Sequence, residues 1–247
     1  MERNLLFDLR FCGTNYHGFQ VQKNALSVCE VFQDAVEAVF GVRGDVKGCS
    51  RTDAGVHARQ YCASMRTDRA IPCDRAVSAL NRNLPRDIAV TACRDVPPDF
   101  HARYHCTGKE YVYKIYNSRV KDPFSPDLRY RYSRRLEEAF LSGQAAGFVG
   151  THDFAAFCSK GSDIEGTTRT VTAATVEREG DEVRFVVRGD GFLYNMVRIM
   201  AGTLVQIGEG RIPPGSIPEI IASKDRERAG KTMPACGLYL NQVFYKE

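Results

Sequence analysis

The stretch "GCSRTDAGVHA", Gly48 to Ala58, sets an arginine, an aspartate and a histidine within seven residues. A carboxylate at Asp53 can do three things. It can close an Asx-turn on nearby backbone N–H groups, supply half of a metal site with His57, or react. Ala54 and Gly55 ease a turn just after a strand, where a side chain can project into a cleft. On spacing alone the turn former is the plainer reading. The metal pair has no third ligand nearby. A Ser50–Asp53–His57 triad would need three members of one short turn to form a chain of hydrogen bonds, and no G-x-S-x-G is present. Without a P-loop or a G-x-G-x-x-G after a strand, nucleotide-cofactor chemistry has no support.

Arg198 is the second residue of interest. It is the one charge in an apolar run from Phe192 to Ile207 that reads as a buried helix, covered on nearly all faces by Met196, Val197, Ile199, Met200, Leu204, Val205 and Ile207. A buried guanidinium needs a carboxylate or a bound anion. A structural ion pair satisfies that need, and so does a catalytic acid that the arginine keeps ionised. Tyr111 is the third. In "KEYVYKIY" it shares one strand face with Tyr113 and Ile115, as core or as a ring on which a base can stack.

The surroundings of Tyr111 are basic. Between His101 and Arg135 nine Lys or Arg residues face three acids, Glu110, Asp122 and Asp127, and six of the eleven tyrosines lie there. Cations interleaved with aromatics suit nucleic acid, although a solvated strand-and-loop face has the same composition. The net charge of +4 decides little by itself.

These residues must be positioned by regular elements. "LLFDLRF" reads as a first strand, and Ser27 with Glu30 is a capping box opening a helix that Gly41 ends. A strand leads toward Thr52 and another runs from Val56 to about Met65. Pro72 opens a second helix, and "DIAVTAC" is a further strand. The order β-α-β-β-α-β is that of a ferredoxin-like unit. The paired prolines of "DVPPDF" introduce a linker. After it come the strand of Tyr111, a helix after Ser133, two strands meeting around Glu179 to Asp181, the apolar helix of Arg198 and a closing strand "GLYLNQVFY". The expectation is an α+β protein in two halves. Residues 1–96 carry Asp53, 97–106 form the linker, and 107–247 form the second half. Each half has an antiparallel sheet, with a site expected at their junction.

Composition narrows the class. Hydrophobic residues make up 43% and charged residues 26%, the balance of a folded chain. Neither a signal peptide nor a membrane span is legible. The nine cysteines lie no closer than eleven residues apart, which argues against a zinc ribbon and for reduced thiols in a cytosol.

"RTDAGVHA", Arg51 to Ala58, resembles the signature of the TruA-type tRNA pseudouridine synthases, the tRNA pseudouridine(38-40) synthase family. Further segments are similar, in order, along nearly the whole chain: "GTNYHGFQVQ", "FHARYHCTGKEYVYKIYN", "THDFAAFC", "GFLYNMVRIMAGTL" and "GLYLNQVFY". Cys12 and Phe19 depart from the aspartate and tryptophan frequent in that family. The resemblance implies two ferredoxin-like subdomains flanking a central catalytic cleft. It also implies a homodimer that isomerises uridine to pseudouridine at positions 38 to 40 of tRNA, with no cofactor or metal. The cysteine usage makes the expected location cytoplasmic, and neither membrane nor DNA is an expected partner. The resemblance places Asp53 on the catalytic position, Tyr111 on the uridine-stacking tyrosine, Arg198 on the arginine that pairs with the aspartate, and Arg51 on a basic residue that helps hold the flipped nucleotide. Two other classes differ in what they need. A non-catalytic RNA-binding protein of this fold requires neither Asp53 nor Arg198. A metal-dependent hydrolase at Asp53 and His57 would be silenced by chelator.

Overall fold

The computed structural model describes residues 2–159, 161 and 166–246. The chain divides into two compact units, Met1–Thr107 with Leu240–Glu247, and Gly108–Tyr239.

The first unit is built on β1, Arg3–Phe11, which pairs antiparallel with β3, His57–Thr67, on one side and β4, Ile88–Val96, on the other. The short β2, Lys47–Gly48, pairs with the far edge of β3. Leu5, Leu6, Phe7, Leu9 and Phe11 of β1 are all buried, which fits a central strand covered on both faces. The helix α1, Val28–Phe40, follows the capping box closely. The Ser27 hydroxyl accepts from Glu30 N at 3.2 Å, and Gly41 ends the helix in the left-handed region. Its Phe32 meets Phe7 edge-on at 5.5 Å, which seats the helix on β1. The second helix, α2, Cys73–Asn83, buries Ala76 and Leu80. It is fastened to β4 by Asn81, whose amide both donates to Val90 O and accepts from Val90 N at 2.8 Å. The strand order β4-β1-β3-β2 with two crossover helices is the ferredoxin-like arrangement. Buried Asn4 donates to the carbonyls of Pro97 and Phe100, so the turn after β4 is pinned to β1.

The second unit repeats the pattern. β5, Cys106–Tyr116, lies beside β9, Glu182–Gly189, then β8, Thr168–Glu179, then β7, Gly150–Asp153. All of these pairs are antiparallel, and β6, Tyr130–Arg131, adds a short parallel pair to β5. The β8–β9 hairpin closes with Glu179 opposite Glu182 and Gly180 at positive φ. The helices are α3, Glu138–Ala145, α4, Met196–Gly208, and α5, Ile217–Ser223. The last strand, β10, Leu238–Tyr245, begins in the second unit, and from Leu240 it belongs to the first.

Three elements differ from the sequence reading. The strand before Thr52 is only β2, because the backbone leaves the ladder after Cys49 N bonds Cys62 O. The helix after Ser133 starts five residues later, at Glu138. Buried Asn117 donates to the carbonyls of Tyr132 and Arg134 and accepts from Leu136 N, which holds that stretch extended. The apolar helix begins at Met196 rather than Phe192, because Asn195 adopts a left-handed conformation with φ 61°. No helix among the described residues is long and apolar enough to cross a membrane.

Candidate functional site

Asp53 sits half-buried on an irregular loop between β2 and β3. Its carbonyl accepts from Val56 N at 3.2 Å, and Gly55 takes φ 78°, so the Asp-Ala-Gly run is a tight turn. The turn is braced by the segment that follows β1. Gly55 N donates to Tyr16 O at 3.1 Å. A Cβ on Gly13 would lie 2.0 Å from Val56 O, and one on Gly18 would lie 2.1 Å from Thr52 O. The two glycines of "GTNYHG" therefore let one backbone lie directly on the other.

That segment is itself tied down. The Tyr16 hydroxyl donates to Asp87 Oδ1 at 2.7 Å and Asn15 Nδ2 to Asp87 Oδ2 at 3.1 Å. Burial, then the hydrogen bond to Asp87, pushes the Tyr16 phenol well above the usual tyrosine range. Phe19 stacks on Tyr61 with ring centroids 4.0 Å apart, and the Tyr61 hydroxyl donates to Ser50 O. Tyr61 is on β3, so the loop is held from the sheet side as well. His57 is buried, and its Nδ1 accepts from Gly13 N at 3.0 Å. Arg51 is exposed.

The second unit carries the other two residues. Tyr111 is buried on β5 opposite Val187, and Phe192 meets its ring edge-on at 5.2 Å. Arg198 lies in the first turn of α4, where ten of thirteen residues are buried, but Arg198 itself is half-buried rather than enclosed. Its Nε donates to Met233 O at 2.6 Å and one terminal nitrogen to Asn195 Oδ1 at 2.6 Å. Met233 N in turn donates to Arg198 O. The chain around Met233 lies so close on α4 that a Cβ on Gly202 would be 1.9 Å from Lys231 O. These contacts fix the direction of the guanidinium by its stem side.

Asp53 and Arg51 thus belong to one compact unit, and Tyr111 and Arg198 to the other. The braces Gly13, Tyr16, Gly18 and Asp87 escaped the sequence reading, as did Phe192, Asn195 and Met233. The glycine pair flanking "TNYH" was the visible signal for the first group. Only tertiary packing reveals the second.

The basic segment is partly neutralised. Arg129 pairs with Asp122 and, at 3.5 Å, with Glu182, and Lys114 stands 3.7 Å from Glu182. Arg103, Arg119, Lys121, Arg131 and Arg134 are exposed. Among the described residues no three His, Cys, Asp or Glu side chains gather where they could hold a metal ion.

A family model described as tRNA pseudouridine synthase matches residues 9–105 and 145–246, which include Asp53 with its braces and Arg198 with its partners. The chain belongs to the tRNA pseudouridine synthase family. It is accordingly an isomerase acting on uridine in tRNA. The chain is similar over 98% of its length to whole relatives named tRNA pseudouridine synthase A. It is 46% identical to that of Acetivibrio thermocellus over 243 residues and 44% identical to that of Ruminiclostridium cellulolyticum over 244, with 100% of each relative covered. A solved structure described as the crystal structure of a Cbf5-Nop10-Gar1 complex aligns with 98% of this chain and 50% of that chain, at a TM-score of 0.40 and 13% identity.

Proposed function

We propose that this chain converts uridine to pseudouridine in the anticodon stem-loop of tRNA, at positions 38 to 40, with Asp53 as the reacting carboxylate. The observation that carries the reading is the braced turn. Backbone-to-backbone packing at Gly13 and Gly18 and the bond from Gly55 to Tyr16 hold one half-buried aspartate in a fixed direction. Preorganisation of that kind is what a reacting group needs.

The reaction breaks the bond from C1′ to N1, rotates the uracil and joins C1′ to C5. C5 loses its hydrogen and N1 gains one. A uridine inside a stacked arm is out of reach, so it is flipped out first, with exposed Arg51 helping to hold the flipped nucleotide. A carboxylate can attack the sugar, attack the base or remove a sugar proton, and every one of these routes needs it ionised. Arg198 is the partner that keeps it so. Its orientation by Met233 and Asn195 supports this role. Tyr111, its ring steadied by Phe192, stacks on the uracil and retains it while the glycosidic bond is open. The exposed cations at 103, 119, 121, 131 and 134 meet the phosphate backbone. No electrons are exchanged with a partner and no group leaves, so the chemistry calls for no cofactor. The enzyme works in the cytoplasm as a homodimer.

The test is to map pseudouridines in unmodified tRNA before and after treatment with the purified protein. New pseudouridine confined to positions 38 to 40 supports the reading. Pseudouridine elsewhere, or none, refutes it.

A further inference from the structure

His57 stands four residues after Asp53 and takes no part in the chemistry just described. Yet it is 1% exposed, and its Nδ1 accepts the backbone N–H of Gly13 at 3.0 Å. Because a backbone N–H can only donate, Nδ1 must present a lone pair, and the proton of the neutral ring sits on Nε2. The residue it holds is the one that lies on the Asp53 turn. A Cβ on Gly13 would be 2.0 Å from Val56 O and 3.0 Å from Val56 N, so the two backbones are in direct contact. Val56 N closes the turn on Asp53 O, and Gly55 N bonds Tyr16 O three residues beyond Gly13. His57 is thus a side chain that joins both segments of the brace. It starts β3 immediately after the turn, and it reaches back to the segment that leaves β1.

We infer that His57 is a positioning residue for the reaction: its Nδ1 lone pair fixes Gly13, and through Gly13 the turn that aims Asp53. The inference rests on the reading of Asp53 as the reacting carboxylate. It accounts for a buried histidine at a place where an aliphatic side chain would fill the same space. It predicts that the acceptor atom matters, and not the volume or the polarity of the side chain.

Asparagine and glutamine separate these properties. The Asn Oδ1 falls near the place of Nδ1, whereas the Gln Oε1 falls near that of Nε2. Leucine fills the volume and accepts nothing. The experiment compares His57→Asn, His57→Gln and His57→Leu for kcat, for tRNA affinity and for melting temperature, beside Asp53→Asn. For His57→Leu and His57→Gln the expected result is a fall in kcat of about 10- to 100-fold with tRNA affinity retained, because a misplacement of about 1 Å is enough for such a loss. His57→Asn should stay within about 5-fold of the natural protein, since the acceptor and hence the geometry are kept. Equal losses in Asn and Gln variants, or natural kcat in the Leu or Gln variant, overturn the inference. If His57→Leu does not fold, the Asn–Gln pair decides alone. Turnover retained in Asp53→Asn would instead sink the reading of Asp53, so the two failures are distinct.

Discussion

Replacing Gly18 with alanine tests whether the brace sets the position of Asp53. Gly18 has φ 79°, and the added methyl carbon would lie 2.1 Å from Thr52 O and 3.3 Å from Asp53 C. An ordinary carbon–oxygen contact is about 3.3 Å, so the two backbones must part by roughly 1 Å. The left-handed conformation adds about 1–2 kcal/mol for a residue with a Cβ. The conformational cost is small against the usual reserve of about 5–15 kcal/mol, and the melting temperature reports what the parting of the backbones adds. Activity is far more sensitive. A shift of about 1 Å at a reacting group lowers the rate about 100-fold. Gly215→Ala is the control, because Gly215 also has positive φ, 78°, and a Cβ there would meet nothing within 4 Å. The assay is tritium release from C5-labelled uridine in tRNA, with melting temperature and tRNA affinity measured on the same samples. Gly18→Ala should lose about 100-fold in kcat, while Gly215→Ala, which carries the left-handed cost without the clash, keeps natural turnover. Natural kcat in Gly18→Ala would refute the argument that this contact aims Asp53.

Other substitutions probe separate parts of the account. Tyr111→Phe should bind tRNA as the natural protein does, whereas Tyr111→Ala should lose about 1–3 kcal/mol of binding in a filter assay, because the ring is what stacks. Gly143 lies inside α3 with open space where a Cβ would stand, so Gly143→Ala should raise the urea midpoint, by about 0.4–1 kcal/mol in stability. Burial by itself would raise the Glu182 carboxyl, but the hydrogen bond from Arg184 and the charges of Lys114 and Arg129 outweigh it and hold the group below the usual glutamate range. A lowered folded value gives stability that is complete above about pH 5 and fades as pH falls through that value. The urea midpoint should therefore drop in acid, and Glu182→Gln should flatten that limb.

The elements whose causes are local were the ones that could be read from residues alone. Ser27, Glu30 and Gly41 carry both ends of α1 within fifteen residues, and Gly180 marks the β8–β9 hairpin at the place where its strands turn. The turn at Asp53 was legible for the same reason, since Gly55 supplies the conformation it needs. What failed depended on partners distant in sequence. The start of α3 is delayed by Asn117, a residue of another element that competes for the backbone of 132–136. The apolar pattern around Arg198 predicted enclosure, but one terminal nitrogen is met by Asn195 and Nε by Met233, 35 residues later, and the side chain is only half-buried. His57 looked like a partner for Asp53 from its spacing. The contact that explains its burial is with Gly13, 44 residues earlier, which no periodicity records.

The central claim is that the Asp53 carboxylate reacts. Asp53→Asn keeps the size and the turn-forming capacity of the side chain and removes only the charge and the nucleophile. Tritium release from C5-labelled tRNA uridine should fall about a thousand-fold or more in this variant, with tRNA affinity and melting temperature close to the natural values. Release at a rate near that of the natural protein would contradict the account.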